Sequence, residues 1–447
     1  MDAAGRVVRG DLLVRDGVIA ALGDQVPAAL AALPAGKADS EVDASGALVL
    51  PGFIHGHLHL CQTLFRGLAE QHDLLRWLRE SIWPLEAAHT AASVGAATRL
   101  GLCELLAGGV TCINDMGTVR HTEAIGLALE ACGMRAVFGK ALMDRGDGAP
   151  AGWVEPARAA LDEALELARR FDGAGGGRLR VALAPRFILS CSEPLWRDVA
   201  ATAAERGLLV HTHIAESPAE GKEVALAVAT TAARFFAARQ VLSPRFVGAH
   251  GVWLDREERE LMARADAALV HCPGSNLKLG SGLACVRAWK DAGIRCGLGS
   301  DGAACNNRLD TFHEMGLAAL VSRVRPATGL PEPCASLGAR EVVALATCDG
   351  ARALGWGDAI GSLEPGKQAD VVVIDVGGAH HGPDPERDPY TTLVHSARAS
   401  DVRLTMVAGR ILYRQGSWST LDPAAVLAEA RAEARGLMRR AGIAGAA

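Results

Sequence analysis

No apolar run in this 447-residue chain is long enough to span a bilayer. The stretch Ala225–Ala238 is broken by Thr230, Thr231 and Arg234. Met1 to Asp11 carries acids and lacks an apolar core segment, so no signal peptide is expected. The eleven cysteines form no CxxC pair and follow no regular spacing; in an intracellular protein such residues are mostly small buried hydrophobes. A basic patch is also missing. Net charge is −5 with signs interspersed, so neither nucleic acid nor a membrane surface is the expected partner. Aromatic residues are scarce, at 4%. There is no internal repeat and no long low-complexity tract. The expectation is a cytoplasmic protein with a small-molecule ligand, and a symmetric homo-oligomer is the prior.

What is present reads as a large globular protein, with 49% hydrophobic and 22% charged residues. The first fifty residues look β-rich, with short segments at Asp11–Arg15, Val18–Leu22 and Ala47–Val49 around an Ala/Pro-rich loop, Pro27–Asp39. From Leu48 the rhythm changes to short apolar strands alternating with longer helices such as Thr90–Leu106 and Pro156–Phe171. Eight strands are expected, near Val49–His55, Val110–Asp115, Arg135–Lys140, Arg180–Ala184, Leu208–His213, Phe246–His250, Ala268–His271 and Ile294–Gly299. Eight strand–helix units in about 300 residues point to an α/β fold, a closed (β/α)8 TIM barrel. A doubly wound sheet is disfavoured, because no GxGxxG follows the first strand. After Leu354 the texture is β again. Ile360–Gly366 reads as strand then turn, Val371–Ile374 as a buried strand, and Leu404–Val407 and Arg410–Tyr413 as a hairpin. Pro423–Arg440 reads as a charged helix. The expected organisation is a small β-sandwich domain built from both termini (1–50 and 356–420), a barrel over 51–355 and a C-terminal helical segment, 421–447.

Metal-ligand residue types recur at the ends of these strands. His57 and His59 share a face of the first strand, and imidazole suits zinc or iron. His55 has the same spacing, so spacing alone leaves the register open. His211 and His213 likewise share a face of the fifth strand. Glu216, just past it, would gain a raised pKa at a partly desolvated barrel mouth and suit proton donation. His250 ends the sixth strand, where a neutral imidazole can polarise water. Asp301 follows the eighth, where a carboxylate can serve as ligand and general base together. Each residue has a bland reading alone: a His-rich loop, a helix-starting Glu, a core histidine, a turn Asp before Gly. Their joint recurrence at successive strand ends favours a metal site for hydrolysis.

These motifs resemble the amidohydrolase superfamily, in its branch of purine and triazine aminohydrolases. The similarity is carried by Pro51-Gly52-Phe53-Ile54-His55-Gly56-His57-Leu58-His59, by His213-Ile214-Ala215-Glu216, by His250, by His271-Cys272-Pro273-Gly274-Ser275-Asn276-Leu277-Lys278-Leu279-Gly280, by Gly299-Ser300-Asp301-Gly302 and by Ile360–Asp370. His55 stands where the family usually has Asp or Asn. The resemblance implies one divalent ion, zinc first and iron second, held by His57, His59, His213 and Asp301. It further implies that Asp301 takes a proton from the attacking water, that Glu216 protonates the ring nitrogen beside the amino-bearing carbon, and that His250 steadies the nucleophile while ammonia leaves.

Substrate cues divide. Trp77 and Glu86 match a segment of deaminases of 5′-deoxyadenosine and S-adenosylhomocysteine, in which the matching Glu binds ribose hydroxyls. Gln62 and Arg186 match guanine deaminases, in which the matching pair reads the purine edge; a donor-only Arg favours an acceptor on the ring. Ser300–Asn307 looks like the adenosine-type and triazine branch. The leading expectation is a 5′-modified adenosine, above all 5′-deoxyadenosine. Guanine or another oxidised purine is the alternative, then a chlorotriazine. A non-catalytic scaffold is the reading from another class, disfavoured because all four ligands are present. The segment Cys61–Glu86 is expected to act as a lid.

Overall fold

The computed structural model describes residues 1–2, 4–33, 36–70, 72–324, 335–382 and 388–443. Two strands, β1 (Leu12–Arg15) and β2 (Val18–Leu22), form an antiparallel hairpin ahead of β3 (Ala47–Pro51). The barrel strands follow as β4 (Phe53–Leu58), β5 (Val110–Asp115), β6 (Arg135–Leu142), β7 (Leu179–Pro185), β8 (Leu209–Ile214), β9 (Phe246–His250), β10 (Ala268–His271) and β11 (Arg295–Leu298). They pair in parallel in chain order, with helices between them, as the TIM-barrel reading requires. The last four strands are β12 (Val371–Asp375), β13 (Val402–Val407), β14 (Arg410–Arg414) and β15 (Ser417–Trp418). With β3 they make a five-stranded antiparallel sheet that joins the two ends of the chain. The β1–β2 hairpin packs on it through Ile19, Leu363, Ala369 and Val371.

Three expectations need correction. The single strand expected at Val49–His55 is two, because β3 belongs to the small sheet and β4 to the barrel. Gly52 breaks the run, and a Cβ there would lie 2.1 Å from the Thr111 side chain. The expected loop at Pro27–Asp39 begins as a helix, Val26–Ala31, with Pro27 in its first turn, where a missing N–H costs little; Pro34 and Ala35 lie outside the described residues. Ile360–Gly366 forms the turn but no strand; pairing starts only at the bridge between Val18 and Gln368.

The strands' outer residues and the helices form the main core. A second core fills the barrel with small or branched residues, among them Ile54, Cys112, Val137, Ala182, Val247 and Val270, and is closed below by Leu354, Trp356 and Ile360. The packed lower half leaves the carboxyl ends of the strands as the open mouth. Over that mouth lies the segment after β4, largely helical: Leu74–Trp77, a π turn at Leu78–Ile82, then Trp83–Ala87. Its Trp77, Leu78, Ile82 and Trp83 share a core with Met116, Trp153, Phe187 and Leu279. The C-terminal helix (Pro423–Arg440) lies on the barrel helix Ala91–Ala107, with Arg99 paired to Glu429 at 2.6 Å.

Candidate active site

The barrel closes where β11 meets β4, and this seam assembles the site. The Asp301 N–H donates to the His57 carbonyl at 3.2 Å. Gly299 permits the approach, since a Cβ there would lie 2.7 Å from the His57 carbonyl oxygen. A register shift within β4, between His55 and Leu58, decides which histidines face inward. His57 and His59 turn to the centre. His55 bonds Ser300 Oγ through Nδ1 at 3.0 Å and Thr311 Oγ1 through Nε2 at 2.8 Å, so both its nitrogens are engaged away from the cluster.

Four donor residues converge: His57, His59, His213 and Asp301, with one ligand atom from each inside a 4.8 Å span. His57 Nε2 and His59 Nε2 lie 3.2 and 3.4 Å from Asp301 Oδ1, and His59 Nε2 lies 3.2 Å from His213 Nε2. Donors bound tetrahedrally to one ion at 2.0–2.1 Å sit about 3.3 Å apart, so this spacing fits a shared divalent ion. The outer nitrogens are oriented for it. His213 Nδ1 donates to the Arg186 carbonyl at 2.8 Å, which leaves Nε2 free to ligate. His57 Nδ1 lies 2.9 Å from His211 Nε2, so His211 stands behind the four-residue cluster rather than within it. His57 Nε2 is buried without a hydrogen bond. The three nitrogens and one carboxylate oxygen suit zinc or iron and disfavour magnesium or calcium.

The residues expected to act as acid and base adjoin this cluster. His250 Nε2 lies 3.6 Å from Glu216 Oε2 and 3.8 Å from Asp301 Oδ2. Asn276 Oδ1 accepts from His250 Nδ1 at 2.9 Å, which aims Nε2 between the two carboxylates. Ser275 Oγ donates to Asp301 Oδ2 at 2.7 Å, and Ser281 Oγ to Glu216 Oε1 at 3.2 Å. His250 and Asp301 hold left-handed backbones at φ 76° and 60°, conformations that cost about 1–3 kcal/mol and cluster at functional sites. Burial pushes the Glu216 pKa up to about 7. Burial works the same way on Asp301, but the His57 imidazole beside it, then charge from His250 and His59, hold it well below the ordinary carboxylate range. The two carboxyls are thus driven apart, one toward an acid and the other toward a base.

A cavity opens on this cluster, lined by His59, His213, Glu216 and Asp301 at its floor and by Gln62, Arg186, Trp77, Leu78, Phe187 and Leu279 on its walls. Trp77 is fixed by donating its Nε1–H to the Ala69 carbonyl at 3.2 Å. The residues that divided the substrate reading form one unit. Arg186 pairs with Glu86 through both terminal nitrogens, at 2.5 and 3.2 Å, and Gln62 Nε2 donates to Glu86 Oε1 at 3.0 Å. Gln62 and Arg186 line the cavity; Glu86, 1% exposed, sits behind them. Glu220 is a wall residue that the sequence reading missed. It bonds the Glu216 and Ser217 N–H groups at 2.7 and 3.3 Å, and Ser217-x-x-Glu220 before a helix was the available signal.

A family model described as the amidohydrolase family matches residues 48–412. A 5′-deoxyadenosine deaminase from Methanothermobacter thermautotrophicus is 37% identical over 431 residues, 96% of this chain and 95% of that protein. A 5-methylthioadenosine/S-adenosylhomocysteine deaminase from Natronomonas pharaonis is 36% identical over 437 residues, 98% of this chain and 97% of that protein. A crystal structure of an adenosine deaminase from Xanthomonas campestris with bound zinc superposes with a TM-score of 0.86 at 29% identity, covering 96% of this chain and 93% of that one. Matched along most of its length, the chain belongs to the amidohydrolase family.

Proposed function

We propose that this protein is a metal-dependent hydrolytic deaminase of 5′-modified adenosines, with 5′-deoxyadenosine as the leading substrate. One observation carries the reaction class: a three-histidine, one-aspartate cluster opens to a cavity beside a carboxyl raised to about 7 and a second held low. The similarity to proteins named as deaminases of 5′-modified adenosines, over 96–98% of the chain, supports the substrate class.

His57, His59, His213 and Asp301 would hold the ion, zinc first and iron second. When bound, such an ion lowers the pKa of water to roughly 7. Asp301 then takes the water's proton, and Ser275 holds its Oδ2 in place for that transfer. Glu216 delivers a proton to the ring nitrogen beside the carbon under attack. His250 hydrogen-bonds the nucleophile from the third side. Ammonia departs as Asp301 passes the water's proton to the amine, and the remaining hydroxyl proton restores Glu216 while the ring carbonyl forms. A chloride would need none, so a paired acid and base favours deamination over dechlorination.

Gln62, Trp77, Glu86 and Arg186 are the proposed substrate-selecting residues. An adenosine-type substrate offers its ring nitrogens to the Arg186 guanidinium, and Glu86 must release one oxygen before it can accept from a sugar hydroxyl. The position of Glu86 behind Arg186 favours a second reading, guanine or another oxidised purine read by Gln62 and Arg186 directly. We further expect a cytoplasmic homo-oligomer; no described helix is long and apolar enough to cross a membrane.

Ammonia release from 5′-deoxyadenosine, 5′-methylthioadenosine, S-adenosylhomocysteine, adenosine, guanine and a chlorotriazine decides among these. Turnover confined to the ribosylated adenines supports the proposal. Turnover of guanine alone overturns it in favour of the second reading.

A further inference from the structure

Far from the barrel mouth, the described residues hold a second convergence of metal-ligating side chains. Ala379–His381 forms a single 3-10 turn after β12, and Asp401 lies just ahead of β13. His380 Nε2 and His381 Nε2 approach the same oxygen, Asp401 Oδ2, at 3.0 and 3.4 Å. Their rings are 4.0 Å apart, and one ligand atom from each of the three residues fits within 4.8 Å.

The burial is uneven in an informative way. His380 is exposed and Asp401 partly so, but the His381 side chain is only 3% exposed. Neither His381 ring nitrogen has a hydrogen-bond partner among the described residues. A buried imidazole with both nitrogens unmatched is uncommon, because the desolvated donor and acceptor both go uncompensated. Asp401 is held in place, as the Arg398 N–H donates to its Oδ2 at 2.8 Å. The next carboxylate, Asp375, is engaged by Arg403 at 2.7 Å. Among the described residues, Asp401 is therefore the anion available to this histidine pair.

We infer that His380, His381 and Asp401 form a second divalent-metal site, distinct from the barrel cluster. Two imidazoles and one carboxylate suit zinc or another late first-row ion, and the exposed side leaves room for solvent ligands. An ion there ties the turn after β12 to the start of β13, so its role is to brace the small sheet.

The test uses the full chain with its barrel ion in place, equilibrated with zinc at low micromolar concentration and freed of excess. Metal per chain is then counted by plasma mass spectrometry. His381→Phe and Asp401→Asn should each hold one zinc fewer than the native chain and release ammonia at an unchanged rate. Equal zinc content in native and variant chains overturns the site, whatever the total. His380→Gln, at the exposed position, decides the matter if His381→Phe does not fold. Cobalt gives an independent readout: a second equivalent should add visible absorption to the native chain and none to the variants. Because the count is a difference, it stands or falls separately from the identity of the heterocycle.

Discussion

Asp301 and Glu216 are chemically similar acids that burial treats alike, and their neighbours set them apart. Asp301 faces three histidines, whereas Glu216 faces His250 and the like charge of Asp301. Asp301→Asn and Glu216→Gln should each keep the fold and lose about 10²–10⁴-fold in kcat, the usual worth of a positioned acid or base. Ammonia release beside a circular-dichroism melt checks both halves; a variant with full turnover overturns its assigned role. Glu86 presents a different case. It neutralises Arg186, which is also buried, at 3%. Glu86→Gln leaves that guanidinium uncompensated and should cost about 3–5 kcal/mol of stability, while Glu86→Leu with Arg186→Met should recover most of it. Denaturant unfolding of the single and double variants reads the difference. Recovery of stability without recovery of turnover would assign the pair to substrate selection as well as to folding.

At the scale of elements, the site depends on how closely β11 approaches β4. Gly299→Ala would push a methyl against the His57 backbone at 2.7–2.9 Å. Overpacking of this kind costs about 1–3 kcal/mol, and here the displaced atoms belong to a proposed ligand. The expected outcome is a modest fall in Tm with a much larger fall in metal content; a normal metal content would show that the seam yields elsewhere. Barrel strands were legible in the sequence because each is a short apolar run bounded by Gly or a charged turn, and seven of the eight fell within two residues of their expected ends. The exception, β4, was merged with β3, since apolar residues run from Ala47 to Ile54 and period alone cannot say that Gly52 turns the chain from one sheet to another. The inward histidines were legible as types and not as a set. His55, His57 and His59 share a two-residue spacing, and only the register shift in β4, a tertiary feature, excludes His55. Nor could spacing reveal that Gln62, Glu86 and Arg186, spread over more than a hundred residues, are one hydrogen-bonded unit.

Over the whole molecule, the loops at the barrel mouth are joined by a buried acid whose charge bears on the stability of the entire fold. Glu314 accepts from the Gly274 N–H at 3.0 Å and from Asn306 Nδ2 at 2.7 Å, and so links the segments after β10 and β11. Burial pushes its pKa up to about 8, against an ordinary 4.5, despite those hydrogen bonds. Asp115, buried at the end of β5, is raised to about 7 in the same way. The folded state binds these protons more tightly than the unfolded chain does. Their contributions are therefore fully present below the ordinary values of 3.8 for Asp115 and 4.5 for Glu314, and are lost as pH rises through the folded values of about 7 and 8. The Tm of the metal-loaded protein should thus fall between pH 6 and pH 9, in a range where most surface carboxylates no longer titrate. Glu314→Gln tests the assignment through the slope rather than the level. Its amide must turn an N–H₂ toward one of the two donors, so the variant should melt lower at every pH. With no proton to lose at 314, it should also show a smaller fall from pH 6 to pH 9 than the native chain. A variant whose melting curve runs parallel to the native one over that range would place the sensitive group elsewhere, with Asp115→Asn the next substitution to measure.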